Sequence, residues 1–509
     1  MTHDPQKSDS STVAKKPTNE PSVSGAEPVE RRGEAKGNTF NPPTRRTQCR
    51  GSVLMGLDRV RQAAKARKKE RFTALLHHVS VEAMKEAYLS LKRQAAPGVD
   101  GTTWEEYAHN LEANLKDLHA RVFRGAYRAR PSRRVYIAKP DGSKRPLGIA
   151  ALEDKILQRA VGEVLNAIYE EDFLGFSYGF RPGRGQHNAL DALTVAITQT
   201  KVNWIVDADI AKFYDSLSHE WLRRFLKQRI GDPRVLRLIR KWLKAGVLEE
   251  DVVNPTEVGS PQGAVISPIL ANMYLHYTFD LWANRWRHRE AKGNVVIVRY
   301  ADDSVVGFEH EADAKRFLTE LHERMGKFAL TLHPEKTRLI EFGRHAADDR
   351  KRRGLGKPES FCFLGFVHIC ARSRHGAFQL KRKSRRDRMR AKLREIKEAL
   401  RRRMHDPIPE QGKWLAQVVC GYFNYHAVPT NTRSLSAFRY HVTDLWRRSL
   451  KRRSQRDGTT WERIDHLARE FLPSPRILHP WPNARFAVTH PRWEPSARIG
   501  PARICAGGA

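Results

Sequence analysis

The amino-acid sequence predicts an α+β fold, and three observations support this prediction. Short runs rich in β-branched residues alternate with runs of helical period between about residues 130 and 310. Hydrophobic residues make up 40% of the 509 residues, which is ample for a large buried core. After about residue 380, apolar residues recur at helical spacing among many cations. We therefore expect a mixed core of roughly 250 residues, followed by a helical region.

The elements are expected in a definite order along the chain. Residues 1–55 are rich in Ser, Thr, Pro, Gly, Lys and Glu and predict a disordered tail. Residues 56–130 carry apolar clusters at helical spacing and predict helices, interrupted by a turn at 96–101. The runs that follow predict a strand at 134–137, a helix at 156–168, a strand at 204–206, helices up to 248 and a strand pair at 295–308.

Positive charge dominates the chain, with 92 Lys and Arg against 57 Asp and Glu and a formal net charge of +35. Self-repulsion of this size favours a polyanionic partner, with nucleic acid first and an anionic membrane surface second. The sequence has no run close to the roughly 18–20 apolar residues of a spanning helix, and its polar start is unlike a signal peptide. We therefore expect no membrane partner and a cytoplasmic location.

A basic helix is predicted for residues 381–403, which carry 13 Lys and Arg against three acids. Met389, Leu393, Ile396 and Leu400 lie at i, i+4, i+7 and i+11, and so form one apolar stripe. Thirteen cations cannot be balanced by salt bridges within the segment. The segment therefore predicts a helix that contacts phosphates.

Two adjacent acids are the strongest chemical signal in the sequence. Asp302 and Asp303 stand between two β-branched runs within residues 295–308, which predicts a hairpin with both aspartates at or beside its turn. Adjacent carboxylates between hydrophobic strands call for a cation, and hard oxygen ligands suit Mg²⁺. A two-metal phosphoryl-transfer site would need at least one more carboxylate.

Three acids after a second apolar strand could supply that carboxylate. Asp207 and Asp209 share one face of the strand that begins at Trp204, and Asp215 lies beyond it in a turn or helix start. Strand geometry favours Asp209 only modestly, because an aspartate can equally cap a following helix. The choice among the three stays open at this level.

The order of motifs resembles a known family. The tetrad at 300–303 resembles the reverse-transcriptase box, and residues 209–215 look like its partner motif. The chain is similar to the reverse transcriptase/maturase proteins of bacterial group II introns through further motifs in the family order at 136–149, 177–184, 259–268, 332–337 and 363–366.

This resemblance implies a right-hand polymerase fold, in which fingers and palm with a small antiparallel sheet precede a helical thumb/maturase domain. It divides the chain into the disordered basic and polar tail at 1–55, fingers and palm at 56–370, thumb and maturase (domain X) helices at 371–456, and a short basic extension at 457–509. Because no paired cysteines or His/Asn cluster occurs in the extension, we expect no endonuclease, and a primer from another source such as a nascent strand.

The resemblance also implies site residues. The catalytic residues would be Asp209, Asp302 and Asp303, which with Ile210 form the metal group for two Mg²⁺ ions, or Mn²⁺ as a substitute. The nucleotide would be bound by Lys139, Arg145, Gln262 and either Phe213 or Tyr214, one of which would exclude a 2′ hydroxyl. RNA or template contacts are expected from Arg181, Arg184, Lys336, Lys381, Arg382, Lys383, Arg385 and Arg386.

The implied function is an RNA-directed DNA polymerase that copies intron RNA into DNA and, as a maturase, assists splicing of its own intron. Its partners would be group II intron RNA, an RNA template with a DNA primer, dNTPs and target DNA, in the bacterial cytosol near the nucleoid. Two alternatives remain: a splicing-only maturase with a vestigial polymerase, and a reverse transcriptase of retron or defence type. The intact Asp209, Asp302 and Asp303 disfavour the first, and the maturase-like segment from Gly421 disfavours the second.

Overall fold

A computed structural model describes residues 45–138, 144–250, 252–254, 257–453 and 459–489. The strands in these residues are β1 (Ser132–Ala138), β2 (Lys144–Ile149), β3 (Trp204–Ala208), β4 (Val247–Glu249), β5 (Val252–Asn254), β6 (Val295–Tyr300), β7 (Asp303–Phe308), β8 (Arg338–Glu341), β9 (Phe361–Phe363), β10 (Phe366–Arg372) and β11 (Phe378–Ser384).

The α-helices of the described residues are α1 (Arg45–Ala66), α2 (Val81–Ser90), α3 (Trp104–Ala108), α4 (Leu111–Phe123), α5 (Leu152–Tyr169), α6 (Gln186–Gln199), α7 (Phe213–Ser216), α8 (His219–Arg229), α9 (Pro233–Lys244), α10 (Ser267–Leu275), α11 (Leu281–Arg289), α12 (Glu311–Gly326), α13 (Ala346–Arg352), α14 (Arg386–Arg402), α15 (Ile408–His426), α16 (Thr432–Lys451), α17 (Trp461–Phe471) and α18 (Pro482–Thr489). A π-helical segment, His276–Asp280, joins α10 to α11. The described residues therefore have the α+β composition that the sequence predicts.

The first helix differs from the sequence-based expectation. Helix α1 begins at Arg45, ten residues before the end of the tail predicted for 1–55. Residues 1–44 lie outside the described residues. The predicted tail therefore overlaps a helix at its C-terminal end.

A sheet of four strands in the order β6-β7-β3-β8 forms the centre of the molecule, and all its pairs are antiparallel. Strands β6 and β7 are buried along almost their whole length, which explains their nearly continuous apolar sequence. Helix α6 packs on β6, and α12 packs on β3 and β7. The predicted strand pair at 295–308 is confirmed as the β6–β7 hairpin.

A second sheet, in the order β2-β1-β4-β5, stands beside this core. The β1–β2 hairpin is antiparallel, whereas β1 and β4 run parallel. The connection between β1 and β2, residues 139–143, lies outside the described residues.

The third sheet, β11-β10-β9, corrects one prediction. Residues 381–384 belong to β11 rather than to the basic helix predicted for 381–403, because they pair with β10 and alternate between buried and half-buried side chains. The helix α14 begins only at Arg386, and its predicted apolar stripe packs into the core.

A separate hydrophobic cluster joins helices α14–α17. Its centre includes Leu415, Phe438, Trp446 and Ile464, all buried. This cluster is distinct from the large core around the four-stranded sheet. In the described residues, no helix combines the length and the apolar composition that crossing a membrane requires.

Candidate active site

The β6–β7 hairpin presents two adjacent aspartates at a tight turn. Tyr300 pairs with Asp303, so Ala301 and Asp302 form the two-residue connection. Ala301 has a φ of +54°, a left-handed conformation that is uncommon for a residue with a side chain. The structure therefore has the predicted hairpin, with both aspartates at or beside its turn.

A third aspartate reaches the same place from the neighbouring strand. Ala208, the last residue of β3, pairs with Ser304, so Asp209 emerges beside the hairpin turn. The Nζ atom of Lys336 lies 3.2 Å from Oδ2 of Asp209 and neutralises this carboxylate in the protein alone. The sheet register therefore brings Asp209, Asp302 and Asp303 together.

The other two acids considered from the sequence lie differently. Asp207 lies within β3 opposite Val305 and Arg338, and burial raises its pKa to about 7. Asp215 lies in α7 and is exposed. Asp207 is thus a fourth carboxylate behind the turn, whereas Asp215 lies outside the cluster.

Burial and repulsion between the acids shape the electrostatics of this cluster. Burial, followed by the charges of Asp302, Asp207 and Asp209, raises the pKa of Asp303 to about 8. Burial also raises the pKa of Asp302, against the opposing positive charge of Arg145. Burial and mutual repulsion therefore disfavour the ionised forms of Asp302 and Asp303, and a bound cation would favour them.

The donor chemistry fits Mg²⁺, which binds carboxylate oxygens and keeps several positions for substrate phosphate and water. In the described part of the chain, no three acidic, His or Cys side chains already stand in a metal-binding arrangement. The fit to Mg²⁺ therefore rests on three observations. The aspartates supply oxygen donors, the pKa values of Asp302 and Asp303 are raised, and the Lys336 ammonium lies at Asp209 where a metal ion could lie instead.

Ile210 can contribute to such a group only through its main chain. Its antiparallel bridge with Leu332 uses the carbonyl of Asp209 and the N–H of Ala211. The carbonyl of Ile210 consequently points away from Leu332. Its side chain is buried and apolar.

A buried arginine that sequence reasoning did not single out supports the hairpin turn. The guanidinium of Arg299 donates to both carboxylate oxygens of Asp280, at 2.7 and 2.6 Å. It also donates to the Ala301 carbonyl at 2.8 Å, Ser177 Oγ at 2.7 Å and Asn272 Oδ1 at 3.1 Å. The signal available in the sequence was a lone cation in an otherwise apolar strand.

A glycine in the 177–184 motif allows the loop before α6 to approach the same turn. A Cβ atom on Gly179 would lie 2.2 Å from the main-chain nitrogen of Ala301, far inside contact distance. The Gly179 carbonyl accepts a hydrogen bond from Asn272 at 2.7 Å. The motif thus supports the turn through its backbone.

The nucleotide-binding residues predicted from the sequence approach the turn from the second sheet. Arg145 in β2 is exposed, and its charge acts on Asp302. The main-chain carbonyl of Gln262 accepts from the Gly148 N–H at 2.7 Å, which joins the 259–268 loop to β2. Lys139, which was also predicted to bind the nucleotide, lies outside the described residues.

The two candidate aromatic residues are now distinguishable. Phe213 is 3% exposed and packs in the core, whereas the ring of Tyr214 is only partly buried. The Tyr214 carbonyl accepts from the Ser260 N–H at 2.8 Å, which fixes the backbone beside the ring. Tyr214 is therefore the more exposed of the two aromatic residues.

Two cations in the 177–184 motif, for which we expected RNA contacts, have structural roles. The Arg181 side chain is 3% exposed and donates to the carbonyls of Leu174 and Ser177, besides its ion pair with Glu170. Arg184 is also half-buried and donates to the Gly175 carbonyl at 2.6 Å. Because the Arg181 guanidinium is buried and paired, its assignment to RNA is corrected, whereas a contact of the half-buried Arg184 with RNA stays a prediction.

Arg382 requires the same correction as Arg181. Its side chain is 2% exposed and its Nη1 lies 3.1 Å from Oδ1 of Asp191, which also pairs with Arg485 at 2.5 Å. The desolvated guanidinium is held by that carboxylate, since an unpaired buried charge would be costly. Arg382 therefore joins β11 to α6 and α18.

The remaining predicted cations keep some exposure. Lys381, Lys383 and Arg385 are half-buried, and Arg386 is exposed. Arg385 pairs with Asp387 at 2.6 Å. A further cation that the prediction did not single out, Arg388, lowers the pKa of Asp303 through its charge. The start of α14 thus faces the aspartate cluster with positive potential.

An antiparallel sheet with carboxylates at a hairpin turn, beside a basic helix, defines a nucleic-acid polymerase. The model of the family described as reverse transcriptase (RNA-dependent DNA polymerase) matches residues 137–368. The chain is 33% identical over 324 residues to protein YkfC of Escherichia coli (strain K12), an alignment that covers 57% of this chain and 81% of that protein. The chain belongs to the reverse transcriptase family.

Two further relatives carry intron names. Group II intron-encoded protein LtrA of Lactococcus lactis subsp. cremoris is 41% identical over 173 residues, which is 34% of this chain and 27% of that protein. Nuclear intron maturase 4, mitochondrial, of Arabidopsis thaliana is 24% identical over 231 residues, or 44% of this chain and 27% of that protein. The chain thus spans about a quarter of the length of each of these two proteins.

Proposed function

We propose that the protein is the RNA-directed DNA polymerase of a group II intron, which copies the intron RNA into DNA and assists its splicing. The observation that carries the proposal is the meeting of Asp209, Asp302 and Asp303 at one turn of a reverse transcriptase fold. The relatives named as intron-encoded protein and intron maturase support the choice of intron RNA.

The aspartates would hold two Mg²⁺ ions, together with the Ile210 carbonyl. Metal ions held by these residues would supply charge stabilisation for the primer 3′ hydroxyl and for the leaving pyrophosphate. Lys336 would then leave Asp209, since its ammonium and the metal are alternative partners of that carboxylate. Mn²⁺ would serve as a substitute because it accepts the same oxygen ligands.

The other residues would position the nucleotide. Arg145 would meet the dNTP triphosphate, since a guanidinium forms paired hydrogen bonds with phosphate oxygens. Gln262 lies on the 259–268 loop, which is hydrogen-bonded to β2, and would contact the nucleotide. Tyr214 would exclude a 2′ hydroxyl with its ring, and Phe213 would support that ring from the core.

The thumb would follow the duplex of RNA template and DNA primer. The exposed Arg386 and the partly exposed Lys381, Lys383 and Arg385 lie at the start of α14 or immediately before it. They can reach phosphates, which carry most of the affinity for such a duplex. We extend the proposal to target DNA as a partner and to action in the bacterial cytosol, at the nucleoid.

Primer extension on an RNA template with Mg²⁺ tests the polymerase. Asp302→Asn should reduce cDNA synthesis more than about 100-fold, because removing a group that stabilises developing charge costs roughly 3–4 kcal/mol. Asp215→Asn is the matched control, since this exposed carboxylate lies outside the cluster. Equal activity of Asp302→Asn and the natural chain would refute the assignment.

A splicing assay with the intron RNA distinguishes the alternatives. A chain that promotes splicing yet makes no cDNA would be a splicing-only maturase. One that makes cDNA and has no effect on any flanking intron would be a reverse transcriptase of retron or defence type. The aspartate cluster favours the polymerase over the first of these alternatives.

A further inference from the structure

Two aromatic rings stack on the surface of the helical region rather than in its core. Tyr440 on α16 and Trp461 at the start of α17 have ring planes 8° apart and centroids 5.8 Å apart. They are 58% and 39% exposed. By contrast, Tyr422 on α15 and Phe438 on α16 form a buried stacked pair that belongs to the core. The surface pair is therefore additional to what the fold needs for packing.

The surface pair is held by rigid neighbours. Arg439, next to Tyr440, donates to the Ala468 carbonyl at 2.7 Å and to the Pro473 carbonyl at 3.2 Å, which ties α16 to the end of α17. Ile464, three residues after Trp461, is fully buried in the helical core. The helices that carry the two rings are thus packed together by contacts beside the pair.

Cations of α16 lie beside the pair. The guanidinium of Arg447 lies 4.4 Å from the centre of the Trp461 ring. Arg448, which is 67% exposed, shares the carboxylate of Asp444 with Arg447. Helix α16 carries five Lys and Arg residues against that one acid. Helix α16 thus has a net positive charge even though Asp444 pairs with Arg447 and Arg448 and α17 adds Glu462 next to Trp461. An exposed aromatic pair beside such a helix is complementary to a nucleic acid.

We propose that Tyr440 and Trp461 form a stacking platform for an unpaired RNA base, at a site separate from the polymerase cleft. A base lying on the open side of the Tyr440 ring would extend the stack that already contains Trp461 and Arg447. Its adjoining phosphates would lie within reach of Arg448. The identity of that RNA as intron RNA depends on the function proposed above, whereas stacking on a single strand does not.

The test separates this platform from the cleft by filling the cleft first. The full chain is loaded with an RNA–DNA template-primer, and binding of a fluorescein-labelled 12-nucleotide oligoadenylate is then measured by anisotropy. A double-stranded RNA of equal length serves as the second probe. Primer extension on the preloaded template reports the polymerase independently of the platform.

We expect Tyr440→Ala to weaken oligoadenylate binding about tenfold, since one stacked base contributes roughly that much, with little effect on duplex RNA. The salt dependence should not change, because no charge is removed. Tyr440→Phe should retain the natural affinity because it keeps the ring. Trp481→Ala is the control for loss of an equally exposed aromatic residue, 58% exposed, and should bind like the natural chain.

Three outcomes would overturn the platform. Oligoadenylate binding could disappear once the template-primer fills the cleft, or Tyr440→Ala and Trp481→Ala could have the same affinity. A changed oligomeric state of Tyr440→Ala in sedimentation, with unaltered RNA affinity, would assign the rings to a protein contact instead. A natural chain that makes no cDNA in primer extension would refute the proposed function. The binding measurements would still test the platform, because they do not depend on polymerase activity.

Discussion

The buried guanidinium of Arg299 gives a prediction that separates stability from activity. Its donors bind the Asp280 carboxylate twice, and they also reach Ser177, Asn272 and the Ala301 carbonyl of the hairpin turn. Asp280 has no exposed surface, so Arg299→Leu would leave its charge buried without its main partner. The perturbation therefore acts on the folded state and on the turn at the same time.

The expected loss follows from the burial of that pair. Removing one partner of a buried ion pair costs about 3–5 kcal/mol, whereas replacing both partners by apolar residues is often nearly neutral. The double variant Asp280→Leu/Arg299→Leu should thus be at least about 2 kcal/mol more stable than the sum of the single effects implies. Activity should not recover in the double variant, because the Ala301 carbonyl still lacks its donor.

Urea denaturation measures the stability of the natural chain, the two single variants Asp280→Leu and Arg299→Leu, and the double variant. Primer extension at saturating nucleotide measures their activity. We expect kcat to fall roughly 10- to 100-fold in both variants that lack Arg299, as for a small displacement of reacting groups. Additive effects of the two substitutions on stability would refute the ion-pair reasoning. A double variant with natural kcat would show that the bond to the Ala301 carbonyl does not position the turn.

Three further predictions concern the turn, the sugar and a buried acid. Gly179→Ala should reduce primer extension and stability together, because its Cβ would lie 2.2 Å from a main-chain nitrogen of the turn. Gly162→Ala in α5 is the control, since the nearest atom to its Cβ would be 3.7 Å away. Primer extension and urea denaturation are measured for both variants. Tyr214→Ala should raise ribonucleotide incorporation in a misincorporation assay, whereas Phe213→Ala should mainly cost about 3–5 kcal/mol of stability. Burial raises the pKa of Asp154 to about 6, so the contribution of this residue to stability should fall by about 3 kcal/mol as the pH rises from about 3 to 7. Asp154→Asn should remove this contribution in urea titrations.

The sign of the last effect follows from the proton balance. Between the unfolded pKa near 3.8 and the folded value of about 6, the folded chain holds the Asp154 proton that the unfolded chain has released. A natural chain and an Asp154→Asn chain with parallel stability curves would contradict this account. Natural polymerase activity of the Gly179→Ala variant would contradict the prediction for the turn. Unaltered sugar selection by the Tyr214→Ala variant would contradict the prediction for the sugar.

Local patterns were sufficient for several elements. The β-branched runs on both sides of Asp302 and Asp303 predicted the β6–β7 hairpin, because such runs and a short polar turn depend on neighbouring residues only. The apolar stripe of α14 could likewise be predicted, since helix periodicity depends on neighbouring residues. The strand at residues 381–384 could not be predicted in this way, because their place in β11 depends on pairing with β10.

The sequence by itself determined the α+β class, the aspartate hairpin and the basic helix, and its motifs determined the resemblance to reverse transcriptases. Strand geometry alone left three acids open and the resemblance implied Asp209; only the tertiary structure shows why, because the register of β3 against β7 places Asp209 beside the turn. It also showed that Arg181 and Arg382 are buried ion-pair partners. A cation has the same identity in the sequence whether it faces RNA or a buried carboxylate, and only the packing of distant segments decides which of the two it meets.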